Sequence, residues 1–302
     1  CFYREWIFPV MHRSDPPPRL VSSAAMGLRQ RIRGAVLDTM LGQSVADLHA
    51  GWRRLVRQGP PQLDVFHQLD DAHSYLLLQA LQRLDSAVDI ALHVSPAPDA
   101  VTDPEPQLYL DWALRDARQL AEHYDLDLPA GARVPSADAI AQAAAILAHD
   151  RGGSIDRALV VTRALLTGGD LDALSAELGA ASSQRTSELL AASHALRRKL
   201  GHYRGAMVHF EGDWYWGVDR LGLLIDRLRR ECLDVPNGVT ERETVLPLRG
   251  ESLELYYSFR SPYAYLAVDR TVALAERHGL ELSIKPVLPM VMRGFEVPFV
   301  KR

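Results

Sequence analysis

Between Glu251 and Gly279 the hydrophobic pattern changes period. Leu253, Leu255 and Tyr257 alternate with polar neighbours, as in a half-buried strand, and then Tyr265, Leu266, Val268, Val272 and Leu274 recur at helical spacing. Ser261 falls at the change. Serine is a good N-cap, Pro262 fits the first helical turn because its missing N–H costs nothing there, and Gly279 closes the helix in the left-handed conformation. Leu280, Leu282 and Ile284 alternate again. The stretch therefore predicts β-α-β with the Ser261 hydroxyl at the first junction, facing free N–H groups and the positive end of the helix dipole. An anion such as a thiolate is stabilised in that position.

An earlier stretch carries the same pattern. LDVFHQLDDAHSYLLLQALQRL lies against LELYYSFRSPYAYLAVDRTVAL without a gap, placing Leu63 on Leu253, Phe66 on Tyr256, Asp71 on Ser261, His73 on Tyr263 and Tyr75 on Tyr265. A strand from Val88 to Val94 follows, ending at Ser95-Pro96 much as the later one ends at Lys285-Pro286. The correspondence predicts an internal repeat of one fold. In the first copy Asp71 stands where the second has Ser261. A carboxylate caps a helix well but repels a neighbouring thiolate, so the first copy reads as catalytically altered.

From Asp103 to Leu200 apolar residues recur at spacings of three and four. Helices are predicted over Leu108–Tyr124, Ala137–His149, Ile155–Leu166, Leu171–Leu178 and Ser187–Leu200, punctuated by Pro129, Gly152-Gly153 and Gly168-Gly169. Alanine and leucine dominate the block, and packing is its expected work. A hairpin around Glu211-Gly212 and a helix from about Asp219 close the first copy. Glu231 to Arg249, with Pro236-Asn237-Gly238, reads as a polar linker. The predicted divisions are an extension over 1–60, a first domain over 61–233, a linker over 234–250 and a second, truncated copy over 251–302.

The beginning is less patterned. Residues 1–25 lack periodicity and do not resemble a secretory signal, and Met26 is a candidate initiator. Gly27 to Arg57 carries an apolar stripe through Leu28, Ile32, Val36, Leu37, Met40 and Leu41, the pattern of a docking helix or of a basic membrane-surface helix. The chain begins without methionine and ends at Lys301-Arg302 directly after a half-finished motif, which reads as a fragment or an imperfect gene model.

Composition narrows the function classes. A net charge of −4 over 302 residues gives no argument for nucleic-acid binding, and no apolar run reaches the length of a membrane span. The 2 cysteines, Cys1 and Cys232, make neither a disulfide framework nor a metal spacing, so a reducing, cytoplasmic setting is the simpler expectation. His123, His149, His194 and His202 lack ligand spacing, and no metal site is expected.

YYSFRSPYAYLA, followed by KPVLP, resembles the DsbA-like branch of thioredoxin folds, closest to the 2-hydroxychromene-2-carboxylate isomerase and kappa-class glutathione transferase group. The resemblance implies an α/β thioredoxin-like fold with a helical insertion, followed by a partial second copy. Disulfide-exchanging members open this helix with Cys-X-X-Cys, where this chain has Ser261-Pro262-Tyr263-Ala264. Thiol–disulfide exchange by the motif itself is thereby excluded, since no thiolate is available to attack. In the isomerase and kappa groups the aligned serine hydrogen-bonds the thiolate of bound glutathione. The resemblance thus implies Ser261 as the catalytic residue, Pro262 and Tyr263 as cofactor contacts, and glutathione as cosubstrate. The closing segment is also similar, with Trp216, Gly217, Asp219 and Arg220 matching and Ala206 at the family's cis-proline position. Trp216, Asp219 and Arg220 are therefore further candidate cofactor contacts, against the plainer reading of Asp219 as a helix cap with Arg220 solvated or paired. A non-proline cis bond costs about 2.5–4 kcal/mol, so the bond before Ala206 is expected to be trans.

Three functions remain open on the sequence. One is a glutathione-dependent isomerase or transferase acting on a small-molecule substrate, with a homodimer as an option. A second is a thiol oxidoreductase by fold only, and the third a catalytically inactive binding or scaffold protein, favoured by Asp71, Ala206 and the truncated second copy.

Overall fold

The computed structural model describes residues 61–84, 87–100, 102–150, 153–231, 235–236, 251–259 and 261–288. The expected helix over 27–57, Met26 and both cysteines lie outside them. The first described strand, β1 (Gln62–Gln68), is followed by α1 (Ala72–Gln82) and β2 (Asp89–Ser95), which pairs with β1 in parallel. Five helices follow: α2 (Pro106–His123), α3 (Ala137–Ala148), α4 (Ile155–Thr167), α5 (Leu171–Leu178) and α6 (Ser183–Lys199). A hairpin of β3 (Met207–Phe210) and β4 (Asp213–Trp216) then leads through a 3-10 turn at Val218–Arg220 into α7 (Leu221–Arg230). The sheet order is β2-β1-β3-β4, with β3 antiparallel to both of its neighbours. A β-α-β unit, a helical insertion, a hairpin and a closing helix in this order make a thioredoxin-like core.

The sequence of α1, AHSYLLLQALQ, dictates much of this. Leu76, Leu77, Leu78 and Leu81 spread over more than half of the helix circumference, each at most 1% exposed, and only the edge of Gln79 and Gln82 reaches solvent. A helix with so wide an apolar face must be covered from more than one side. The sheet core, including Leu63 and Val65 of β1, lies in the same hydrophobic cluster, and α2 and α4 of the insertion pack against α1 as well. Each fully buried leucine contributes about 1.5–3 kcal/mol relative to exposure.

The insertion is pinned by its caps. The side chains of Ser136, Ser154, Asp170 and Ser182 each accept the backbone N–H three residues ahead, at the starts of α3 to α6. Ser182 explains why the last helix begins at Ser183, ahead of the apolar spacing that predicts Ser187. The expected cap role of Asp219 is corrected. The residue sits inside the 3-10 turn, the N-cap of α7 is Arg220, and neither start has a side-chain cap bond.

The chain entering β3 is held against the exit of β1. Ser74 Oγ accepts both Gln68 N–H at 3.1 Å and Ala206 N–H at 2.8 Å, while Gln68 Oε1 accepts Gly205 N–H at 3.2 Å. A Cβ on Gly205 would stand 2.2 Å from the Gln68 Cβ, so only glycine fits. No described peptide bond is cis, and Ala206 instead adopts φ 52° while fully buried. This left-handed conformation costs a non-glycine residue about 1–2 kcal/mol, and the flanking hydrogen bonds hold it in place.

A separate two-stranded sheet carries the second β-α-β unit: β5 (Ser252–Tyr257), α8 (Pro262–His278) and β6 (Glu281–Pro286), with β5 and β6 parallel. Its three elements fall where the alternation and the helical spacing predict them.

Two measurements check the packing. Ser74→Ala leaves two buried N–H groups unsatisfied, at about 1–3 kcal/mol each, so denaturation should show a loss of roughly 2–6 kcal/mol. His67, on β1, is fully buried with Nε2 2.9 Å from Thr162 Oγ1 and no partner for Nδ1. Burial pushes its pKa from 6.5 down to about 4, against a smaller upward pull from the Asp71 charge. The unfolded chain thus takes up the proton more readily. The contribution of His67 is intact above pH 6.5 and is lost as pH falls towards 4, by about 3 kcal/mol in all. Denaturant midpoints measured across that window should fall in the native protein, and His67→Leu should flatten that part of the slope.

Candidate functional site

Ser261 caps α8 as its sequence position predicts. Its backbone is extended at φ −96° and ψ 116°, and its Oγ accepts the Ala264 N–H at 3.2 Å. The leading N–H groups of the helix can be accounted for one by one. Ser261 N–H goes to Ser258 O at 3.0 Å, Pro262 has none, and Ala264 N–H goes to the cap. That leaves the N–H of Tyr263 without a partner among the described residues, at the positive end of the helix. The Ser261 hydroxyl accepts in this arrangement and keeps its own proton free to donate. Arg277 and His278 complement the opposite end, where Gly279 closes the helix at φ 64°. Around the cap the surface is aromatic and open, with Phe259 and Tyr263 each 79% exposed and Tyr265 73% exposed.

At the equivalent junction of the first sheet, Asp71 caps α1. It is buried, and its Oδ1 accepts the His73 N–H at 3.0 Å. Tyr109 of α2 donates its hydroxyl to Asp71 Oδ2 at 3.1 Å, and the Arg204 guanidinium lies over the Tyr109 ring at 4.0 Å. His73 bridges two carboxylates. Its Nε2 is hydrogen-bonded to Asp116 Oδ2 at 2.8 Å, and its Nδ1 lies 3.2 Å from Asp71 Oδ1 without a regular hydrogen bond, so that second contact is coulombic. The rings of Trp112 and Trp216 flank the imidazole at 5.4 and 6.2 Å.

No family profile matches the chain, and no curated protein does. Several solved structures are similar to it, among them these two. One is a 2-hydroxychromene-2-carboxylate isomerase, with TM-score 0.42 and 18% identity over 57% of this chain and 96% of that one. The other is the cytosolic disulfide reductase DsbM from Pseudomonas aeruginosa, with TM-score 0.40 and 16% identity over 56% of this chain and 98% of that one.

The sequence candidates fall into two groups. Ser261, Pro262 and Tyr263 stand together at the start of α8. Trp216, Asp219 and Arg220 belong to the four-stranded unit, where Trp216 borders the His73 cluster and Asp219 pairs with Arg220 at 3.6 Å on the surface. The sequence reading missed Tyr109, Trp112 and Asp116. It treated their helix as packing alone, yet they recur at spacings of three and four, one stripe of a helix facing the Asp71 junction. Among the described residues no group of three or more His, Cys, Asp or Glu side chains could hold a metal ion, and no helix is long and apolar enough to cross a membrane.

The electrostatics of the Asp71 junction are anionic. Burial raises the pKa of Asp70, and the neighbouring charges of Asp71 and Asp103 push the same way. Burial and the Asp71 charge also raise Tyr109, keeping it a phenol donor. For His73, burial alone would favour the neutral ring, but Asp71 and Asp116 outweigh it and leave the pKa raised. Its contribution to stability is thus complete below pH 6.5, the unfolded value, and is lost as pH rises through the folded value. His73→Gln should remove a loss of stability on the alkaline side, the opposite flank from His67, when unfolding is followed from pH 6 to 9.

Proposed function

We propose that the chain is a DsbA-like protein of the glutathione-dependent isomerase or transferase type, in which the Ser261 hydroxyl holds the thiolate of bound glutathione. The observation that carries this reading is the helix start itself. A free hydroxyl proton and an unpartnered Tyr263 N–H converge at the positive end of α8, in the motif SPYA that resembles the family's thiolate-holding segment. A thiolate placed there receives two hydrogen bonds and the helix dipole, which lower its pKa and keep it nucleophilic. It adds to an unsaturated carbon of the substrate, the former double bond rotates as a single bond, and the thiolate leaves again with its electron pair. The exposed aromatic side chains beside the cap suit a flat substrate. In this proposal residues 61–233 and 251–302 are two copies of one fold, the second truncated, and the thiol cosubstrate points to the reducing cytoplasm.

A second reading applies to the first copy. Asp71, buried and tied to Tyr109 and His73, offers an incoming thiolate a negative charge. That copy supports the protein as a binding or structural partner without thiol chemistry.

Glutathione titrated into the full chain, with the bound thiol followed by thiolate absorbance, tests the main reading. Loss of one hydrogen bond to a charged sulfur is worth about 1.5–3 kcal/mol, so Ser261→Ala should raise the bound thiol's pKa by roughly 1–2 units. Ser261→Asp keeps a competent cap while adding negative charge, and should abolish binding with the helix intact. An unaltered thiol titration in the alanine variant, or native affinity in the aspartate variant, would refute the proposal.

A further inference from the structure

The buried stripe of α6 is polar. Thr186, Ser193 and Arg197 are its buried residues, and Arg197 is fully enclosed. Long cationic side chains are almost never fully buried unless paired. Among the described residues Arg197 has no carboxylate partner. Its Nη2 donates to Pro96 O at 3.0 Å and lies 3.5 Å from His194 Nδ1, while Nε and Nη1 find no hydrogen-bond partner among those residues. Burial alone pulls its pKa down to about 10, with no acidic neighbour pushing back. The carboxylate in the neighbourhood, Asp99, accepts the Thr102 N–H and acts electrostatically on Arg198 and His194 instead.

The surroundings fit a ligand rather than a packing error. Ser193 lies one helical turn before Arg197 on the same face, and its hydroxyl meets that of Ser95 at 2.8 Å. Ser95 ends β2, and Pro96, the next residue, is the one whose carbonyl holds Arg197. Two buried hydroxyls and an uncompensated guanidinium are thus gathered at the carboxyl end of a parallel strand, where open α/β sheets bind ligands.

From the unpaired Arg197 nitrogens, the Pro96 carbonyl that holds this guanidinium and the Ser95–Ser193 hydroxyl pair on the adjoining residues we infer an internal oxyanion subsite, which takes the phosphate or carboxylate group of a small ligand. Guanidinium is suited to such a group through its several fixed N–H donors. Ser95 Oγ also donates to His93 O at 3.4 Å, which leaves the Ser193 hydroxyl as the one able to turn from Ser95 and donate to the anion. Because Nε and Nη1 are shut off from solvent, the anion enters by local opening of the structure, and association is slow. The subsite is independent of the Ser261 reading, since it uses none of the same residues.

Inorganic phosphate and acetate, each titrated into the full chain at matched ionic strength, test this by calorimetry and thermal unfolding. Saturable binding is expected, with the unfolding temperature of the first unit raised by about 3–6 °C at tenfold excess over Kd. Arg197→Met should abolish the shift while remaining at least as stable as the native chain in anion-free buffer, because it removes an unpaired buried charge. Should that variant fail to fold, the Ser95→Ala, Ser193→Ala double variant decides, with affinity expected to fall about tenfold. The inference is overturned if neither anion binds saturably, if Arg197→Met keeps the same shift, or if the double serine variant binds as tightly as the native chain.

Discussion

A helix with leucine over more than half of its circumference cannot be covered by one sheet alone. The run Leu76-Leu77-Leu78 with Leu81 leaves α1 only the edge of Gln79 and Gln82 to offer to water, so the sheet can satisfy only part of it. The insertion between β2 and β3 covers the remainder through α2 and α4. Once α2 lies across α1, its stripe of Tyr109, Trp112 and Asp116 is brought to the start of the covered helix. The cluster around Asp71 and His73 is therefore a consequence of covering leucines, as well as a polar feature in its own right.

The two β-α-β units present opposite electrostatics at the same kind of junction. At α8 a neutral hydroxyl leaves the helix dipole uncompensated and one N–H free, which suits an anion arriving from outside. At α1 the carboxylate of Asp71 supplies that anion permanently, and Tyr109 and His73 are built around it. One substitution, oxygen acid for alcohol, separates a junction that can receive charge from one that already holds it. The first unit holds a buried ion network at this junction, where the second leaves a position for an anion.

Local chemistry was legible in the sequence wherever the determinant lay within a few residues. The Ser261 cap, the Gly279 stop, the hairpin at Glu211-Gly212 and most insertion helices follow from spacing and turn residues, and the structure places them there. Asp219 failed as a cap because the chain makes a 3-10 turn first, a choice between two helical geometries that side-chain propensity does not resolve. Contacts across long separations were illegible. Nothing in a single chain's periodicity says that His73 will meet Asp116, 43 residues away, or that Arg197 will be enclosed beside Pro96, 101 residues earlier. The polar buried stripe of α6 was hidden for a related reason. Leu189 and Leu190 pack against the core beside Thr186, Ser193 and Arg197, so apolar spacing marks the inner face of the helix but not the polar residues enclosed on it.

The hydrogen bond from Gly205 to Gln68 spans 137 residues, and the strand pairing of β1 with β3 spans a similar distance. During synthesis β1 and α1 leave the ribosome long before β3 exists to complete the centre of the sheet. Their leucines and unpaired backbone edge stay open while the insertion is made. Non-local pairing of this kind makes folding slow, and the four capped helices α3 to α6, each stabilised by near neighbours, are the part able to form while the sheet waits.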